Sequence, residues 1–201
     1  MILWQEISFF RTLLGAFRNK RIITRIRNMK SINSLIDYTL TWGQPKALKN
    51  LYELRFGNEL VAKLEFPKML STNAIVESGD GWWELERAGV FNVNVTVRQK
   101  DHETPVATYT PRPFKGGGIV TLEGDRTLSY STNLWQSRHE LTAETGESLF
   151  EMEGRGFFKM NVDVKMYRKG LKYKELPALV MLIFYIIILS RRDAAVHSAA
   201  H

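Results

Sequence analysis

The sequence of 201 residues predicts a mainly β fold: a closed antiparallel β-barrel of about 10–12 strands around a hydrophobic C-terminal helix, with a short N-terminal helix before it. From Leu51 onward, short runs that alternate apolar and polar residues are separated by turn residues. A sheet of many half-apolar strands avoids exposed edges by closing on itself, which creates a lumen. The uniformly apolar run ALVMLIFYIIIL, residues 178–189, is available to fill that lumen.

The first element is a basic extension, residues 1–30, in which apolar residues recur at the spacing of one helical face: Leu3, Ile7, Phe10, Leu14 and Phe17. It holds seven basic side chains against one acid, so it accounts for most of the net charge of +7. Such an extension is typical of proteins that touch an anionic surface. The lipid- or anion-binding residues predicted in it are Arg18, Lys20, Arg21, Arg25 and Arg27. A helix packed on the domain, a disordered leader and an organellar transit peptide are alternatives for the same residues.

Residues 31–190 form the predicted barrel domain. Alternating strands are expected at residues 60–66, 82–87, 91–98, 106–110, 119–123, 128–132, 139–143, 149–153 and 162–166. Turn signals separate several of them: Gly57-Asn58, Gly79-Asp80-Gly81, Gly124-Asp125 and Gly146-Glu147. The regular spacing of strands and turns favours a barrel or sandwich over a parallel sheet with crossover helices.

The last structured element is a central helix at residues 177–190. Its twelve-residue apolar run rises only about 18 Å as a helix, against a bilayer core of about 30 Å. We therefore expect it to plug the barrel, with these side chains packed against the strands: Leu179, Leu182, Phe184, Tyr185, Ile186 and Ile188. A short membrane anchor is the alternative, and residues 191–201 are predicted to be a disordered tail.

This order of elements resembles the tubby C-terminal-like superfamily, which includes the tubby domain, the LURP-one-related proteins and the phospholipid scramblases. The resemblance covers about two thirds of the chain, with the hairpin series from Tyr52 to Tyr167, the segment GWWELERAGVFNVNVTVR and the terminal helix. It implies a closed barrel of about twelve strands around the helix, and a membrane or lipid function. Two features depart from the family: the chain has no cysteine for a palmitoylated segment, and the phosphoinositide-binding basic residues of tubby proteins have no position-by-position match.

Catalytic and metal-binding patterns are not found in the sequence. His102 and His139, the histidines of the predicted barrel, show no metal-ligand spacing. The Gly116-Gly117-Gly118 triplet lacks the Gly-Lys-Ser/Thr ending of a phosphate-binding loop. The sequence therefore predicts no enzyme, catalytic residue, metal or cofactor.

The functional prediction is a non-enzymatic barrel that lies in the cytoplasm and associates peripherally with an anionic membrane surface or phospholipid. Arg98, Arg112 and Lys115, at strand ends near the turn Pro111-Arg112-Pro113, are further anion-binding candidates. A protein partner is the alternative to the membrane surface, whereas no specific nucleic-acid module is recognised. The alternatives are a tail-anchored single-pass membrane protein with a cytosolic β-domain, and a lipocalin-like carrier of a small apolar ligand.

Overall fold

The computed structural model describes residues 29–45, 50–68, 71–88, 93–112, 116–155 and 160–199. The predicted N-terminal helix lies outside these residues. Within them the chain forms twelve strands, three short 3-10 helices and one α-helix, α1 (Leu176–Ala199). The strands are β1 (Thr39–Gly43), β2 (Leu51–Phe56), β3 (Glu59–Glu65), β4 (Ala74–Ser78), β5 (Gly81–Ala88), β6 (Asn94–Gln99), β7 (Pro105–Pro111), β8 (Gly117–Leu122), β9 (Thr127–Thr132), β10 (Arg138–Ala143), β11 (Ser148–Arg155) and β12 (Asn161–Met166). The 3-10 helices are Ile32–Leu35, Glu123–Asp125 and Arg168–Lys172.

The sheet is a closed antiparallel barrel in which every strand pairs with its neighbours in sequence. Closure comes from β1, which pairs with β2 on one side and with β12 on the other, where Thr39 lies opposite Lys165 and Gly43 opposite Asn161. Closing the sheet pairs the backbone N–H and C=O groups that the edge strands of an open sheet would expose. The predicted fold class is confirmed.

The strands follow the two-residue period of a half-buried sheet. In β6, Val95 and Val97 are buried and face the lumen, while their neighbours face outward. In β5 the same alternation buries Trp83 and Leu85. The result is a barrel whose inner wall is lined almost entirely by apolar side chains.

Helix α1 runs through the lumen, and its side chains from residue 176 to residue 189 are buried on all sides. The six predicted plug residues are each at most 6% exposed: Leu179, Leu182, Phe184, Tyr185, Ile186 and Ile188. The ring of Phe184 stacks on Trp42 of β1, with centroids 4.2 Å apart, and meets Tyr52 of β2 edge-on at 5.7 Å. These side chains occupy the space that a lipocalin-like carrier would need for a ligand.

The helix is longer than the sequence predicted. It does not end at residue 190 but continues to Ala199, so residues 191–199 are helical rather than a disordered tail. Contacts with the barrel rim explain the extension. Asp193 forms an ion pair with Arg87 at 2.9 Å, and Arg192 lies over the ring of Phe66. Of the helices in the described part of the chain, none has both the length and the apolar composition needed to cross a membrane.

Antiparallel order gives the barrel two distinct ends. The lower end, where α1 begins, carries residues 29–38 and 167–175 and the connections that follow the even-numbered strands β2 to β10. The upper end, where α1 leaves the barrel, carries the connections that follow the odd-numbered strands β1 to β11. Residues 190–199 of α1 also lie at the upper end.

Candidate functional site

The basic residues predicted from the sequence do not form one patch in the structure. Arg98 lies near the lower end of β6, whereas Arg112 follows β7 at the upper end and is exposed. Arg98 pairs with Glu84 at 3.1 Å and with Glu86 at 3.7 Å, so its charge is shared with two carboxylates on the outer wall. The remaining candidates lie outside the described residues: Arg18, Lys20, Arg21, Arg25, Arg27 and Lys115.

The two ends of the barrel differ in charge. At the upper end, the described strand-terminal, loop and tail positions carry six basic side chains and two carboxylates: Lys68, Arg112, Arg138, Arg155, Arg191 and Arg192 against Glu65 and Asp193. The same count at the lower end gives ten carboxylates and seven basic side chains. The charge of the described residues is therefore unequal along the barrel axis, with a net positive upper end and a net negative lower end.

Two large apolar side chains project from the upper end. Leu134 and Trp135, in the connection between β9 and β10, are 99% and 87% exposed. Exposed large side chains that stand side by side on a loop are not explained by packing within the barrel. Sequence analysis missed these two residues. The signal that could have revealed them is an apolar pair at a position where a turn normally carries polar residues.

The loop is held in shape by Asn133. Its side-chain oxygen accepts hydrogen bonds from the backbone N–H groups of Ser137 at 2.8 Å and Arg138 at 3.1 Å. The backbone N–H of Gly154 donates to the Ser137 carbonyl at 2.7 Å, which ties the loop to β11. Leu134 and Trp135 are thus presented on a hydrogen-bonded turn. The backbone of this turn is already ordered, so burial of the two side chains would cost little further backbone entropy.

Several of the upper-end cations are paired, and others are not. Arg138 forms an ion pair with Glu151, and Arg155 with Asp163. Arg192 donates to the Ser71 carbonyl at 3.3 Å and to the Asn50 side chain at 3.2 Å. Within the described residues Lys68, Arg112 and Arg191 have no ion pair. These three keep their charge available to an external anion.

A cavity of about 380 Å³ lies beneath the loop, between it and the exposed turn of α1. Its lining includes Trp135, Ser137, His139, Ser190 and Arg191. His139 is buried, and its Nδ1 lies 2.8 Å from the hydroxyl of Tyr130. Burial, with a smaller contribution from Arg191, lowers the pKa of His139 to about 4. The imidazole is therefore neutral at physiological pH, and the positive charge in this cavity comes from Arg191.

Comparison with known proteins supports the fold alone. No protein-family model matches the chain, and no curated protein matches it. The chain is similar in structure to a protein from Arabidopsis thaliana solved by X-ray crystallography, with a TM-score of 0.57 and 13% sequence identity. The match covers 79% of this chain and 96% of the Arabidopsis chain. At this identity the likeness shows a shared barrel architecture.

Proposed function

We propose that this protein is a non-enzymatic, tubby-like barrel of the cytoplasm that binds peripherally to anionic membranes by its upper end. The observation that carries the proposal is the pair Leu134 and Trp135, presented to solvent on a hydrogen-bonded loop, with Arg191 and Trp135 lining the same cavity. The order of elements and the helix-filled barrel support the resemblance to the tubby-like superfamily.

Apolar insertion supplies one part of the binding free energy. Burying a large apolar side chain is worth about 1.5–3 kcal/mol, so Leu134 and Trp135 together contribute about 3–6 kcal/mol if both enter the headgroup region. Tryptophan is suited to this position because its ring is apolar while its N–H can remain hydrogen-bonded at the interface.

Electrostatic attraction supplies the other part, and it sets the preference for anionic lipid. A basic side chain near an anionic leaflet contributes about 1 kcal/mol. Lys68, Arg112 and Arg191, which have no ion pair within the described residues, therefore add about 3 kcal/mol. The two contributions sum to about 6–9 kcal/mol, which corresponds to dissociation constants around the micromolar range. Neither contribution alone gives tight binding, so the association is reversible and requires anionic lipid.

Vesicle sedimentation with the full chain tests the proposal. We expect the protein to pellet with phosphatidylcholine vesicles that contain phosphatidylserine, and to remain in the supernatant with pure phosphatidylcholine. Raising the salt from about 0.1 M to about 0.5 M should weaken binding because it shortens the screening length. Replacing both Leu134 and Trp135 by serine should lower the affinity at least about tenfold, because at least 1.4 kcal/mol of apolar insertion is lost.

Leu171→Ser is the matched control, because Leu171 is 47% exposed at the opposite end of the barrel, in the 3-10 helix Arg168–Lys172. This change should leave vesicle binding unaltered. Equal binding to both vesicle types by the wild-type protein would contradict the electrostatic part. Equal losses in the Leu134/Trp135 double variant and in Leu171→Ser would show that the upper end is not the docking surface.

A further inference from the structure

The lower end of the barrel holds a second cavity, which the proposed membrane surface does not use. It has a volume of about 500 Å³ and lies where α1 enters the barrel. The strand β5, the connection between β6 and β7 and the start of α1 enclose it, and its lining includes Trp83, His102, Thr104, Glu123, Lys174 and Glu175. This volume lies within the range of small-molecule binding sites, roughly 300–1,000 Å³.

Glu175 is the unusual residue of this cavity. Its side chain is only 3% exposed, and its Oε1 accepts a charge-assisted hydrogen bond from Arg126 Nη2 at 2.7 Å. The other carboxylate oxygen, Oε2, is buried and has no hydrogen-bond partner among the described residues. A buried acceptor is unfavourable without a partner, so a donor supplied from the cavity would satisfy it.

The charge of the lining indicates what kind of donor fits. The lining carries three carboxylates, Asp80, Glu123 and Glu175, and one ammonium group, that of Lys174. Arg126 pairs with Glu175 from outside the lining, which leaves the carboxylates in excess by one. Lys174 lies 3.7 Å from Glu123, and both side chains are highly exposed at the rim. The ammonium group of Lys174 therefore offsets little of the negative charge inside the cavity. A concave site with an excess of carboxylates favours cations.

A metal ion is a poor match for this site. Calcium and magnesium require several oxygen ligands arranged around one point. Within the described part of the chain no group of three or more metal-ligating side chains comes together. Asp80, the neighbouring carboxylate, already accepts hydrogen bonds from the Ser31 hydroxyl and from the Ile32 backbone N–H at 2.7 Å. An organic ammonium brings three N–H donors and does not require oxygen ligands arranged around one point.

We propose that the lower-end cavity binds a small primary amine in its ammonium form, with one N–H donated to Glu175 Oε2 and the hydrocarbon part packed toward Trp83. The amine satisfies the unpaired carboxylate oxygen, and the acidic lining offsets its charge. The site is independent of lipid and lies at the other end of the molecule from Leu134 and Trp135, so its tests and those of membrane binding succeed or fail separately.

The experiment is an amide-resolved NMR titration of the full chain with phenethylammonium, compared with 2-phenylethanol as a neutral ligand of nearly equal shape. We expect phenethylammonium to bind with a dissociation constant on the order of 1 mM, as suits a ligand of its size. The alcohol should bind at least about tenfold more weakly, because it lacks the charge. Shifts should concentrate at His102, Thr104 and Lys174, which line the cavity.

Glu175→Gln should weaken phenethylammonium binding at least about tenfold, because it removes the charged acceptor. Glu103→Gln is the matched control: it removes the same charge from an exposed position in the connection between β6 and β7, outside the lining. If Glu175→Gln does not fold, Glu123→Gln serves as the second variant and should weaken binding about two- to threefold. Equal affinity for the amine and the alcohol, no binding of either, or shifts that lie away from the cavity would each overturn the proposal.

Discussion

Phe184 joins the helix to the barrel wall, and its removal measures how far α1 supports the fold. The ring is fully buried within the lumen. It lies almost parallel to Trp42, with an interplanar angle of 5°, and nearly perpendicular to Tyr52, at 77°. These two partners belong to β1 and β2, the strands that complete the barrel, so one side chain links closure of the sheet to the helix inside it.

The magnitude of the Phe184→Ala effect follows from this packing. Truncating a buried phenylalanine typically costs about 3–5 kcal/mol, because apolar contact is lost and a cavity remains. Each of the two aromatic pairs adds about 0.5–1.5 kcal/mol beyond burial, which places the cost at the upper part of that range. A domain of this size has about 5–15 kcal/mol of stability in total. We therefore expect the melting temperature to fall by roughly 6–20 °C.

Urea unfolding followed by circular dichroism measures this loss. Phe184→Leu, which keeps most of the volume, should lose less than Phe184→Ala. Val196→Ala serves as the control on the same helix, since Val196 is 70% exposed beyond the barrel, and its effect should stay within about 0.5 kcal/mol. A loss of unfolding free energy below about 1 kcal/mol for Phe184→Ala would refute the reasoning, because truncating a side chain in a packed lumen is expected to destabilise the fold by more than this.

Three further changes test other parts of the structure. Tyr185→Phe removes a hydroxyl that donates to the carbonyl of the exposed Thr72, and it should cost about 0.5–1.5 kcal/mol in urea unfolding. Because the pKa of His139 is about 4 in the folded protein against 6.5 ordinarily, protons bind more readily to the unfolded chain, and stability should fall as the pH drops from 6.5 to 4. The loss reaches about 3 kcal/mol, and His139→Gln should flatten this slope in unfolding curves recorded across that range; an unchanged slope would contradict the assignment. Gly118→Ala places a methyl group on the Thr110 carbonyl oxygen and should lower the melting temperature, with a cost of about 1–3 kcal/mol.

Much of the fold was accessible from the sequence because its main signals are local. Strands such as β6 alternate apolar and polar residues without interruption, and the apolar run of α1 has no polar face. Both patterns require burial on defined sides, and a closed sheet around a helix provides it. The predicted plug residues are buried for this reason.

Three of the twelve strands, β1, β2 and β4, are absent from the nine ranges expected from the sequence. For β1 and β4 the reason is a distant pairing partner or a weak pattern. β1 is five residues long, and it is fixed by β12, more than a hundred residues later in the chain. In β4 the inward positions include Ser78, a buried polar residue that interrupts the apolar pattern. Local alternation cannot reveal a strand whose stability comes from long-range closure.

The candidate surface was harder to predict from the sequence, because strand register decides which basic side chains are paired with carboxylates. Arg98 looks free in the sequence, but the pairing of β5 with β6 places it directly opposite Glu84. Leu134 and Trp135 stand out in the sequence as an apolar pair in a turn, but only the structure shows that both face solvent. The upper-end cations belong to loops that are far apart in sequence and spread around the rim, so only the assembled barrel brings them to one end.

Docking of the upper end on an anionic membrane is tested most directly by a fluorophore placed at that end. The chain contains no cysteine, so Trp135→Cys gives a single labelling site for the environment-sensitive dye NBD, and Leu171→Cys gives its counterpart at the lower end. With phosphatidylserine-containing vesicles, we predict a blue shift and a rise in intensity at position 135 and no change at position 171. Bound protein whose probe at position 135 remains in water, or equal changes at both positions, would contradict the account.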